Sequence, residues 1–338
     1  MMKSGIKVLF IVFLFITGVF TTSVTASAQV KTLGLQLEEF PYPYPVHYLQ
    51  LNIQKQRLQM AYMDVKPQQW NGKTVLLLHG KNFSGAYWDS TANVLTQKGY
   101  RVIMPDQIGF GKSSKPETLQ YSFQLLARNT KQLLDSLKVE KVTVLGHSMG
   151  GMLATRFTLM YPERVEKLIL ENPIGLEDYK VKVPYQSIDE AYQNELKQDY
   201  SKIKSYQLEN YYGDQWKPQY DKWVTMLAGW TQNPKYSVIA WNAALTSDMI
   251  ITQPVMYEFQ NITVPTLLII GQRDRTALGK PLVSEDVRKT MGNYPALGKS
   301  TQRKIKGSQL VEIDGVGHLP HIERFDLFIT PVLEFLQQ

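Results

Sequence analysis

The sequence predicts an α/β fold: a mostly parallel central sheet flanked by helices, with a helical cap inserted between two of its strands. Three observations carry that prediction. Six short runs are nearly continuous in apolar residues: TVLLLHG (Thr74 to Gly80), RVIMPD (Arg101 to Asp106), KVTVLGH (Lys141 to His147), KLILENP (Lys167 to Pro173), TLLIIGQRD (Thr266 to Asp274) and QLVEIDG (Gln309 to Gly315). That is the pattern of strands buried on both faces. Most of them are separated by stretches able to form helices, such as YSFQLLARNTKQLLDSL (Tyr121 to Leu137), and strand–helix alternation builds a layered parallel sheet whose right-handed crossovers fix most of the topology. Residues 174–262 hold no such run and interrupt the alternation.

Residues 1–28 read as a signal peptide. Lys3 and Lys7 form a basic start, VLFIVFLFITGVF (Val8 to Phe20) is an apolar run of thirteen, and Ala26-Ser27-Ala28 is a small-x-small cleavage pattern. A membrane anchor typically needs about 20 apolar residues, so the expectation is export to the periplasm or the cell exterior with no stable anchor after cleavage. The chain has no cysteine; neither a disulfide nor a lipid on cysteine is available to the exported protein, and its core must hold it together. With 338 residues, 43% of them apolar, the chain can bury a large core, which excludes a disordered class. The formal net charge of +7 is scattered, without a run of five or six like charges. We read it as a solvated surface and expect no nucleic-acid partner.

After the leader, EEFPYPYPVHY (Glu38 to Tyr48) has proline at 41, 43 and 45 and should run extended. HYLQLNI and RLQMAYM then alternate apolar and polar residues around a Gln-Lys-Gln link, which predicts an antiparallel hairpin. Residues 29–173 and 263–338 are assigned to the core, and 174–262 to the cap. The cap carries 15 aromatics, and Trp216, Tyr220, Trp223, Leu227 and Trp230 follow helical spacing, the mark of a packed helix face.

The chemistry starts at GHSMG (Gly146 to Gly150), a G-x-S-x-G pattern directly after one predicted strand and before a predicted helix. A sharp turn there forces Ser148 into a strained backbone, and side chains at Gly146 and Gly150 would collide across it. The turn pushes the hydroxyl out at a helix start, where N–H groups such as that of Met149 favour developing negative charge. A serine needs a base. Of five histidines, His318 sits on a glycine-flanked loop after the last strand, on the sheet edge that Ser148 shares. We prefer it to His321, near the start of the last helix; His147 should point its side chain away from the hydroxyl. For the orienting carboxylate, Asp274 ends a strand at the same edge, whereas Asp106 opens DQIGFGKSS, where aspartate more often braces a turn. Asn172, after the strand that precedes the cap, carries no charge.

Five segments in this order, LLLHGKNFSGAYW, DQIGFGKSS, GHSMGG, GQRD and GVGHLPHIE, resemble the α/β-hydrolase family, in particular its members with a helical cap. The resemblance spans nearly the whole mature chain. It implies a triad of Ser148, His318 and Asp274 and an oxyanion hole built from the N–H groups of Met149 and of Lys81, or of Asn82. The loop HGKNF lacks the extra glycines of several lipases and esterases, which leaves the second donor open between those two. No metal or organic cofactor is expected. In this family dehalogenases and epoxide hydrolases carry aspartate at the turn, so Ser148 points to a carboxylic ester or related acyl bond. A small-molecule substrate with an apolar or aromatic acyl group is expected from the aromatic cap. Carbon–carbon bond hydrolysis or lactonase activity is the alternative chemistry, and a non-catalytic small-molecule receptor is the alternative class.

Overall fold

A computed structural model describes Met1 and residues 30–338; apart from Met1, the expected signal peptide lies outside the described residues. The eight strands are β1 (Val46–Ile53), β2 (Gln56–Val65), β3 (Thr74–Leu78), β4 (Arg101–Pro105), β5 (Val142–His147), β6 (Val165–Glu171), β7 (Thr266–Gly271) and β8 (Gln309–Ile313). They form one sheet in the order β1-β2-β4-β3-β5-β6-β7-β8. β2 pairs antiparallel with both β1 and β4, and all other neighbours are parallel. The β1–β2 hairpin closes on two residues, Gln54 and Lys55, each at positive φ (47° and 64°), with Ile53 opposite Gln56. A two-residue turn of this twist ordinarily takes Asn-Gly or Asp-Gly; Gln-Lys gives no such cue, which is why the sequence suggested a longer link.

The helices are α1 (Asp89–Gln97), α2 (Phe123–Ser136), α3 (Met149–Met160), α4 (Ile188–Glu195), α5 (Tyr200–Asn210), α6 (Asp221–Thr231), α7 (Tyr236–Thr252), α8 (Glu285–Lys289), α9 (Tyr294–Lys304), α10 (Pro320–Glu323) and α11 (Phe325–Gln337). Every residue of β3, β5 and β7 is buried, and alternate residues serve opposite layers. Leu76 and Leu78 pack with Leu126, Leu133 and Phe157 of α2 and α3, while Val75 and Leu77 pack with Leu95, Phe328 and Phe335 of α1 and α11. Both faces of the sheet are covered, as the continuous apolar strands require.

Between β6 and β7 the chain leaves the sheet and builds α4 to α7. Tyr220, Trp223 and Trp230 are buried, in a cluster that includes Phe83 and Tyr87 from the loop after β3 and the helical turn that follows it. The N-terminal arm is docked onto α6: Leu33 N–H donates to the Gly229 carbonyl (3.0 Å), Trp230 Nε1 to the Gly34 carbonyl (3.1 Å) and Asn233 Nδ2 to the Leu33 carbonyl (2.8 Å). Gly229 makes room for it, since a Cβ there would stand 2.6 Å from Leu33 Cγ and 2.9 Å from the Lys31 carbonyl. No described helix is long and apolar enough to cross a membrane.

Candidate active site

β5 delivers its last residue, His147, to the sheet edge, and α3 begins two residues later. Ser148 between them adopts φ 56° and ψ −121°, a conformation that costs a non-glycine residue on the order of 1–3 kcal/mol and persists only when the surroundings over-determine it. The surroundings are backbone. A Cβ on Gly146 would run into the Gly150 carbonyl oxygen, and one on Gly150 would run into the Leu78 carbonyl oxygen at the end of β3, with the His79 carbonyl oxygen at 2.7 Å. From sequence alone, side chains at the two glycines are expected to collide with each other; in the structure a side chain at either one already meets main-chain atoms, for Gly150 those at the end of a neighbouring strand.

The loops after β5, β7 and β8 bring three sequence-predicted residues together. His318 Nε2 lies 3.0 Å from Ser148 Oγ, and His318 Nδ1 lies 2.7 Å from Asp274 Oδ2. All three are buried, with Ser148 the most accessible at 6%. An ionised carboxylate can only accept, so Nδ1 carries the ring proton and Nε2 is left to accept from the serine hydroxyl. The carboxylate is itself fixed. Asn172 Nδ2 donates to Oδ2 (2.8 Å), the Thr276 N–H donates to Oδ1 (2.7 Å), and Asn172 Oδ1 takes the Gly271 N–H (2.9 Å).

The remaining histidines have other partners. His321 pairs with the buried Glu171, whose Oε1 accepts from both its Nδ1 and its backbone N–H, each at 2.8 Å. His147 Nε2 donates to the carbonyl of His318 (2.8 Å), and the Tyr87 hydroxyl lies 3.0 Å from its Nδ1. Burial, and then the nearby His318 and His321, push the His147 pKa well below the usual imidazole range, so it is a neutral strut beneath the His318 backbone. His79 Nε2 accepts the Gln107 N–H (3.0 Å), and His47 stacks obliquely on Tyr62. Asp106 is bound to its own loop and neighbours, accepting from the N–H groups of Gly85 and Lys112 and from the Tyr42 hydroxyl, each at 2.7 Å.

Above Ser148 lies a cavity of about 430 Å³, bounded by Lys81 and Asn82 at its floor and by α4 to α7 around it. The backbone N–H groups of Met149, Lys81 and Asn82 have no protein acceptor among the described residues. Lys81 Nζ reaches Glu195 Oε1 at the end of α4 (3.4 Å). Sequence reasoning missed three neighbours of the site. Asn172 was set aside for lacking charge, and Thr276 enters through its backbone. Tyr211, whose ring stacks on His318 with centroids 5.1 Å apart, comes from the end of α5. The carbonyl–imidazole link of His147 was equally invisible.

A family model of the α/β-hydrolase fold matches residues 73–325, and the chain belongs to that family. A crystal structure of a probable hydrolytic enzyme from Pseudomonas aeruginosa is 49% identical and superposes with a TM-score of 0.91, over 92% of this chain and all of that one. Among curated proteins, the chain is 38% identical over 108 residues to a 2-hydroxy-6-oxo-6-phenylhexa-2,4-dienoate hydrolase of Burkholderia cepacia, covering 31% of this chain and 38% of that protein. It is 32% identical over 133 residues to a haloalkane dehalogenase of Mycolicibacterium paratuberculosis, covering 39% and 44%. These matches span less than half the length of either curated relative.

Proposed function

We propose that the protein is a serine hydrolase that cleaves a carboxylic ester of a small molecule. The observation that carries this reading is the unbroken hydrogen-bonded run from Ser148 through His318 to Asp274, opening on a cavity. Ser148 Oγ attacks the ester carbonyl as Nε2 of His318 takes its proton, and Asp274 stabilises the imidazolium that forms. The N–H groups of Met149 and of Lys81 or Asn82, none with a protein acceptor among the described residues, are available to the tetrahedral oxyanion, each donor worth about 3 kcal/mol. His318 then protonates the leaving alcohol, and water activated by the same ring releases the acid. We place the enzyme outside the cytoplasm on the strength of the leader sequence.

Carbon–carbon bond hydrolysis is the second reading, favoured by the similarity to the Burkholderia dienoate hydrolase; it would use the same serine and histidine. The test is labelling by a fluorophosphonate alongside turnover of short-chain p-nitrophenyl esters. Ser148→Ala should abolish labelling and lower kcat by about 10⁶-fold, the scale seen when a triad nucleophile is removed. Absence of labelling and turnover in the unaltered protein, with tight binding of a small ligand, would instead make it a receptor.

A further inference from the structure

The cavity has two unlike walls. α6 and α7 contribute Leu227, Trp230 and Ile239, and the one polar atom of Trp230 is already given to the Gly34 carbonyl. α7 also lines it with Tyr236 and Ser247, whose hydroxyls are given to the Glu195 and Ala243 carbonyls, so that wall offers mainly apolar surface. The opposite wall is α5, whose buried face consists of Ile203 and, one turn on, Gln207. Gln207 is 2% exposed. Its carboxamide oxygen has no hydrogen-bond partner, and its amino group donates to no protein acceptor among the described residues. Of the other polar side chains at the cavity, Tyr236 donates to the Glu195 carbonyl and Lys81 faces Glu195, Lys202 and Tyr206 are exposed at the mouth, and the Thr276 hydroxyl, two residues from Asp274, is likewise buried without a partner among the described residues. A buried, unpartnered amide on the inner face of an otherwise ordinary helix is unfavourable for folding and calls for a partner that arrives later.

Gln207 is also linked to the reacting groups through one intermediary. Its backbone carbonyl accepts the N–H of Tyr211 (2.9 Å), whose ring covers His318. We infer that Gln207 is a specificity-determining residue that hydrogen-bonds an oxygen carried by the substrate's acyl chain, so that the preferred substrate is an oxo- or hydroxy-acyl ester and not a plain hydrocarbon one. An amide can give a hydrogen bond to a carbonyl and exchange one with a hydroxyl, and the apolar wall takes the rest of the chain. This rests on Ser148 being the nucleophile for turnover, though not for binding.

The test compares p-nitrophenyl heptanoate with its 4-oxo, 5-oxo and 6-oxo counterparts, in the unaltered enzyme and in Gln207→Met. Taking each ester's ratio between the two enzymes cancels its intrinsic reactivity. One oxo ester should lose about 10²-fold in kcat/KM on substitution, the scale expected when a site built to hydrogen-bond its substrate loses that bond. Heptanoate should change less than about threefold, and the fluorophosphonate labelling rate should stay the same. An equal loss on all four esters would show Gln207 to be structural, and no loss on any would show it to be idle; either result overturns the inference. A second measurement separates it from the hydrolase reading: calorimetric binding of the free oxo acids and heptanoic acid to Ser148→Ala, with and without Gln207→Met. Selective binding that depends on Gln207, without ester turnover in the native enzyme, would sink the hydrolase and leave the subsite standing. Binding of the oxo acids no tighter than heptanoic acid would sink the subsite.

Discussion

At the sheet rim, the groups that hold Asp274 are held in turn: Asn172 spans the carboxylate and the Gly271 N–H, and Thr276 closes on the other oxygen. In the roof, the Gln207 side chain has no partner among the described residues, and the contact between Lys81 and Glu195 is a single 3.4 Å approach between partly exposed side chains. The rim comes from the carboxyl ends of parallel strands, whose spacing is fixed by the sheet. The roof is the excursion between β6 and β7, tied down by an arm nearly 200 residues away in sequence through the Trp230 indole. The contrast separates two tasks. Proton transfer needs groups fixed before the substrate arrives, whereas recognition leaves valences open for the substrate to fill.

If that division is right, the rim should tolerate almost nothing. Gly150→Ala puts a methyl group against the Leu78 carbonyl oxygen, with a second carbonyl at 2.7 Å, and neither main-chain atom can move without displacing β3. A loss of about 4 kcal/mol or more is expected, the range in which a single change is exceptional, seen as insoluble expression or a collapsed Tm. A soluble variant with a near-native Tm would mean that the rim is softer than its geometry implies.

The next effect is on rate. Asn172 sits at φ 36°, so Asn172→Gly keeps the backbone conformation while removing the amide that donates to Asp274. A hydrogen bond to a charged group is worth about 1.5–3 kcal/mol, and kcat should fall by roughly 10- to 100-fold at nearly constant KM. An unchanged kcat would show that Thr276 and His318 suffice to position the carboxylate.

The sequence made part of this legible for a physical reason. Parallel strands with both faces buried announce themselves as unbroken apolar runs, and their carboxyl ends must share an edge; Ser148, Asp274 and His318 could be placed there one by one. What stayed hidden depends on neighbours across the sheet. Nothing in GHSMG says that Gly150 answers to Leu78, because β3 and β5 become adjacent only through pairing. Asn172 looked inert because it was judged by charge, when its use lies in a donor and an acceptor facing two chain segments. Of the predicted stripe, Trp223, Leu227 and Trp230 lie on α6, but Tyr220 sits in the short turn before it and Trp216 outside any helix; that Trp230 would also wall a cavity, and that residues 33 and 34 would anchor its helix, required the arm to be seen in place.

The smallest effect should come from the ion pair that joins the Lys81 loop to the end of α4. Glu195→Gln removes the charge facing Lys81 Nζ without touching the Lys81 or Asn82 N–H proposed for the oxyanion. Pairs of this exposure contribute about 0–1 kcal/mol and are screened by salt. Stability should therefore shift by less than about 1 kcal/mol, and kcat/KM by only a few-fold, with the difference from the native enzyme shrinking between 0.05 M and 1 M salt, where the Debye length drops to about 3 Å. A loss well beyond tenfold that persisted at high salt would mean that the end of α4 fixes the Lys81 loop. The roof would then take part in organising the oxyanion site, and the division between a rigid rim and an open roof would fail at that residue.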